Sequence, residues 1–168
     1  MAKVKDPRGR KDTTEHYTKM LRNTMQTDAW RALSPKAQAL YPWFKLEWHG
    51  PRMNNNGKIR FSVRQAAQAL GVRSNDTAAS AIHELQAKGF LVVRELARLG
   101  TSGAARSTAF EITELSMPHS EDASGRKLYL EWAPNNDFPI QKMSANNPQG
   151  RNGKRNPVPK VMTDSHDK

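Results

Sequence analysis

The stretch SVRQAAQALGVRSNDTAASAIHELQAKGF, residues 62–90, puts two short apolar-striped runs on either side of Gly71-Val72. Ser62 is a competent N-cap for the first run, whose Ala66, Ala67 and Leu70 form an apolar face at helical spacing. Gly71 ends it, because a residue without Cβ accepts the left-handed conformation that closes a helix. Ser74, Asn75 and Asp76 can each cap the second run. Ala78, Ala81, Ile82 and Leu85 form its buried stripe, and Gly89 stops it. Two helices joined by so short a turn cross at a steep angle, which leaves the second free to protrude. That geometry limits what the rest of the chain can build around it.

The flanking segments read as follows. Upstream, LSPKAQALYPWFKLEW opens with Ser34 as N-cap and Pro35 at the first helical position. Ala37, Leu40, Tyr41, Phe44 and Trp48 then form a stripe. Pro42 lies inside this run and predicts a kink or two shorter helices. Earlier still, Tyr17, Met20, Leu21 and Met25 are spaced for one face of a short helix starting near Thr13 or Thr14. The Asn54-Asn55-Asn56-Gly57 cluster is a turn signal, and KIRFS alternates as a short strand does. Downstream, FLVVRE is a strand by composition, LARLGTSGAARS a loop, and TAFEITEL a returning strand. In RKLYLEW, a further strand or short helix, Leu128, Leu130 and Trp132 are placed to pack on the body.

Charge comes next. The 168 residues hold 27 Lys and Arg against 16 Asp and Glu, a formal net charge of +11. It divides as +4 over residues 1–26, +4 over 27–135 and +3 over 136–168. Positive charge spread over ends and body alike fits a polyanionic partner, since neutralised phosphates release condensed counterions. With no cysteine, disulfides and thiolate metal sites are excluded and a reducing compartment is expected. No apolar run approaches a membrane span. The expectation is a cytoplasmic protein with a flexible basic arm over 1–12, one domain over 13–135, and a disordered basic tail over 141–168.

The element order of helix, strand, helix, turn, helix and hairpin predicts a mainly α chain with a small β hairpin (α+β), arranged as a winged helix-turn-helix. The hairpin loop would be the wing. The segment from LSPKAQALYPWF through QAAQALG, TAASAIHELQAKGFLVV and TAFEITEL, about residues 28–132, resembles winged helix-turn-helix proteins of bacterial mobile elements. These are of the plasmid or phage replication and regulatory type. The resemblance implies double-stranded DNA as partner and a role in transcription regulation. Two alternatives stand beside it: a protein adaptor in replication or transcription, and an origin-binding protein like a replication initiator.

The second helix offers Asn75, Thr77, Ser80 and His83 at exposed positions. Asn75 can pair with adenine, and Thr77 and Ser80 can reach a base edge or a phosphate. No arginine lies on this helix, which argues against strong base reading. Basic residues surround it: Arg64 on the preceding helix, Arg73 in the turn, and Arg94, Arg98 and Arg106 around the hairpin, with Lys58 and Arg60 before the motif. This is the disposition of a phosphate clamp. The five histidines lack ligand spacing. No Walker loop, dinucleotide fingerprint or nucleophile elbow is present. Glu111 and Glu114 are three apart on a strand and point to opposite faces, a poor acid/base pair. No enzyme activity, metal or cofactor is expected.

Overall fold

The computed structural model describes residues 16–99, 105–120, 124–143 and 161–163, and the chain is α+β. Among the described residues, the chain has five α-helices and a three-stranded antiparallel sheet. The expected arm over 1–12 lies outside the described residues. None of the helices is long and apolar enough to cross a membrane.

The N-terminal part holds two single-turn helices, α1 (Arg22–Met25) and α2 (Asp28–Arg31). The short helix expected from Thr13 or Thr14 does not form over its described part. Residues 16–20 are non-helical, and Tyr17 is 78% exposed. Thr24, which the apolar periodicity passes over, is the buried residue of α1. It is held by a hydrogen bond to the Glu114 carboxylate (2.7 Å), so a polar partner rather than an apolar face places this segment.

Helix α3 (Pro35–Leu46) starts as predicted, with the Ser34 hydroxyl accepting from the Ala37 amide. It runs unbroken through Pro42 rather than dividing in two. Ala37, Leu40, Tyr41 and Phe44 are fully buried. Trp43 falls off that stripe and is exposed. The Asn-rich turn leads to β1 (Ile59–Arg60), and Gly57 there adopts φ +83°. Asn56 in that turn is buried. It accepts from the Ile112 amide (2.8 Å) and donates to the Ile112 and Leu115 carbonyls (3.0 and 2.9 Å).

Helices α4 (Val63–Ala69) and α5 (Asn75–Ala87) follow. Ser62 and Gln65 form a reciprocal capping box on α4, and Ser74 caps α5. The two helices close in the same way. Gly71, at φ +65°, donates to Gln68 O while Val72 donates to Ala67 O; Gly89, at φ +78°, donates to Gln86 O while Phe90 donates to Leu85 O. These paired bonds satisfy the last free carbonyls of each helix.

Strand β2 (Leu91–Glu95) pairs with β5 (Ala109–Ile112), and β5 pairs with β1, giving the order β1-β5-β2. A register shift between Val93 and Glu95 ends the regular β2–β5 ladder. Beyond it the hairpin continues as a separate pair, β3 (Arg98–Leu99) with β4 (Ala105–Arg106). The core lies between α3, α4, α5 and one face of the sheet. Its centre is aromatic: Trp30, Tyr41 and Phe90 meet edge to face at 5.3–5.7 Å between centroids. Tyr129 stacks on Phe90 at 4.8 Å.

Tyr129 belongs to a 3-10 turn over Leu128–Leu130. The sequence pattern names Leu128, Leu130 and Trp132 as the packing residues there. Leu130 instead is 62% exposed, and Tyr129 is buried. A single tight turn entered through left-handed Lys127 does not keep strand alternation, so the side chain that meets Phe90 is the middle one.

The C-terminal part differs most from expectation. Gln141–Met143 forms β6 and pairs antiparallel with β7 (Val161–Thr163), inside the span read as disordered from 141 onward. The body therefore does not end at 135. The Phe138 amide donates to the Ala87 carbonyl (2.8 Å), and the Gln141 amide to the Gln86 side chain (3.0 Å). Backbone bonds to the end of α5 hold a segment whose composition alone reads as tail.

Candidate nucleic-acid interface

Three faces of α5 are committed to the fold. Ala78, Ala81, Ile82 and Leu85 are buried in the core. On one flank, Glu84 accepts from the Ser34 hydroxyl (2.6 Å), which ties α5 to the start of α3. At the far end, Ala87 is covered by the C-terminal segment. The remaining ridge carries Asp76, Ala79, Ser80 and His83, which recur at the i, i+3, i+4 and i+7 positions of one helical face. Asp76 and Ser80 are exposed, while Ala79 and His83 are half-buried.

Two concavities border this ridge. An open groove is lined by Arg64, Ala67, Gln68, Val72, Arg73 and Asn75. It brings together three of the residues singled out in the sequence, all three exposed. Arg64 comes from α4, Arg73 from the turn and Asn75 from the first position of α5, so the bend at Gly71 creates the cluster. On the other side a cleft of about 640 Å³ runs along α5 past Asn75, Asp76, Ala79 and His83. Its far wall is the base of the hairpin, with Leu96, Ala97, Ser107 and Thr108, and β6 closes one end through Gln141 and Lys142.

The remaining candidates divide. Thr77 is half-buried beside the N-cap, its amide bonded to Ser74 (3.4 Å). Arg106 is exposed on β4, opposite Arg98 on β3. Arg60 is occupied at the hairpin base, bonded to Ser107 O (2.6 Å) and paired with Glu95.

Arg94 is not part of the α5 surface. It sits at the register shift in β2 and reaches Glu111, whose strand neighbours Phe110 and Ile112 face the core, so Arg94 projects from the other side of the sheet. There its Nε donates to Glu111 (2.7 Å). Arg126 donates to the same carboxylate twice, at 2.9 and 2.8 Å. Glu111 is completely buried beneath the two guanidinium groups. The sequence shows Arg94 as one more cation near the hairpin; strand alternation and a distant carboxylate assign it elsewhere.

Glu114 lies in the turn after β5 rather than on the strand that the sequence pattern assigns to it. It pairs with Lys45 (2.7 Å) and accepts from Tyr41 (2.8 Å). Burial, with the Glu114 charge second, holds the Tyr41 phenol well above its ordinary range. Each glutamate accepts from donors on more than one element.

Two features of the α5 surface carry no local signal in the sequence. Lys142 lies in a span read as tail, and no local pattern announces that it returns to α5. Glu84 looks like an exposed helical residue until its contact with Ser34 is seen. Comparison with protein-family models, curated proteins and solved structures finds no match to this chain.

Proposed function

We propose that this chain is a non-enzymatic winged helix-turn-helix protein that binds double-stranded DNA, acting as a transcriptional regulator. The observation that carries the reading is the open N-terminal half of α5, which lies between the Arg64–Arg73–Asn75 groove and the hairpin arm with Arg98 and Arg106. The order α3, β1, α4, α5, β2 and β5 supports it, because it lets α5 enter a major groove while the hairpin lies alongside. Residues Asn75–Ala87 contain no Lys or Arg. Affinity therefore comes mainly from phosphates, with Asn75 and Ser80 nearest the bases.

Titration of a labelled duplex across a range of salt tests the reading. Four to six phosphate contacts give a log–log slope of roughly −4 to −5. Arg73→Ala should weaken all duplexes alike, since phosphates carry no sequence. A flat salt response would instead favour a protein-binding adaptor. The carboxylate of Asp76 on the ridge is the observation in favour of that second reading.

A further inference from the structure

Residues 132–143 pack where the outer face of α5 ends, and they do so through several independent contacts. The Phe138 amide caps the Ala87 carbonyl (2.8 Å), and the Gln141 amide donates to buried Gln86 (3.0 Å). Lys88 pairs with Asp137 (2.6 Å) and sits 4.4 Å from the centre of the Trp132 ring. Trp132 donates to the same Asp137 carboxylate (2.7 Å). The Phe138 ring lies so close to Gly89 that a Cβ there would come within 2.8 Å of it. This segment is anchored to the end of α5, so β6 begins at a defined position beside the helix. Lys142, one residue on, accordingly lines the cleft that holds Asp76, Ala79 and His83.

We infer that Lys142 contacts a nucleic-acid phosphate beside α5, which makes β6 part of the interface. The inference rests on the duplex-binding reading above. A helix seated in a major groove has a phosphate backbone along each of its sides. On the α4 side, Arg64 and Arg73 are in place. On the hairpin side, Lys142 is the one Lys or Arg among the described residues lining the cleft. Its neighbour Gln141 is bonded to Gln86 in the last turns of α5, whereas Arg73 stands before the start of that helix. With no cation on α5 itself, this is where backbone charge can be met along the second half of the helix.

The experiment uses the full chain, a labelled random-sequence duplex, and Lys142→Gln and Lys142→Arg variants, from about 0.05 M to about 1 M salt. One phosphate contact contributes about 0.9 to the salt slope, which corresponds to about fivefold in affinity at about 0.15 M. Lys142→Gln should lose that factor at about 0.15 M and approach wild type at about 1 M, where counterion release no longer favours binding. Lys142→Arg should restore both affinity and slope. A Lys142→Gln slope equal to wild type overturns the inference, whether affinity is unchanged or falls equally at every salt. Wild-type protein that shows no salt-dependent duplex binding overturns this inference and the duplex-binding reading together.

Discussion

Lys45→Met probes the charge pair that joins three distant parts of the chain. The Lys45 and Glu114 side chains keep only 5% and 2% of their surface exposed, at a separation of 2.7 Å. Glu114 also accepts from Thr24 on α1 (2.7 Å) and from Tyr41 on α3 (2.8 Å), while Lys45 donates to Lys19 O (2.5 Å). Removing the ammonium strands a buried carboxylate with two neutral donors and no counter-charge. Breaking such a pair from one side costs about 3–5 kcal/mol, a large share of a total of about 5–15 kcal/mol. For a chain of this size the melting temperature should fall on the order of 10 °C. The measurement is thermal unfolding followed by circular dichroism near neutral pH. Tryptic cleavage after Lys19 and Arg22 should accelerate, because the bond to Lys19 O is lost as well. The double variant Lys45→Met/Glu114→Gln removes both charges and should recover most of the loss. Single-variant stability within about 1 kcal/mol of wild type, or a double variant no better than the single, would refute the reasoning.

Three further outcomes follow from the structure. Tyr41 has its phenol raised well above 10.0, by burial first and by Glu114 second. Its contribution is fully present below about pH 10 and is lost as pH rises through the folded value; Tyr41→Phe should flatten that alkaline decline in urea midpoints. Gly71 and Gly89 both have positive φ, but a Cβ on Gly71 meets open space, whereas one on Gly89 meets the Leu128 and Tyr129 backbone at 2.9 Å. Gly71→Ala should therefore cost about 1–2 kcal/mol, and Gly89→Ala a further 1–3 kcal/mol, roughly, from overpacking; equal costs in denaturant titrations would contradict this. Ser80→Glu, at an exposed position, should change stability by less than about 0.5 kcal/mol yet abolish duplex binding by setting a carboxylate against phosphates. A folded Ser80→Glu protein that binds at full strength would remove α5 from the interface.

Helix boundaries around the central turn were readable from the residues themselves. Ser34, Ser62 and Ser74 each accept from the amide three residues on, and Gly71 and Gly89 each close a helix through bonds to the residues just before them. These interactions span a few residues, so the information lies within a short window of sequence. The same holds for the Arg64, Arg73 and Asn75 cluster, which follows from one bend. The fates of the charged and polar groups were not readable. Glu111, Glu114, Asn56 and Arg94 all look like surface residues in sequence. Each is taken up by partners far along the chain: Glu114 by Thr24 and Lys45, Asn56 by Ile112, and Arg94 by Glu111. The C-terminal segment behaves likewise, for its place beside α5 depends on the Ala87 carbonyl and the Gln86 side chain rather than on any apolar periodicity of its own. A polar group is buried only where donors and acceptors from several elements converge to replace water, and that convergence exists only once the chain has folded.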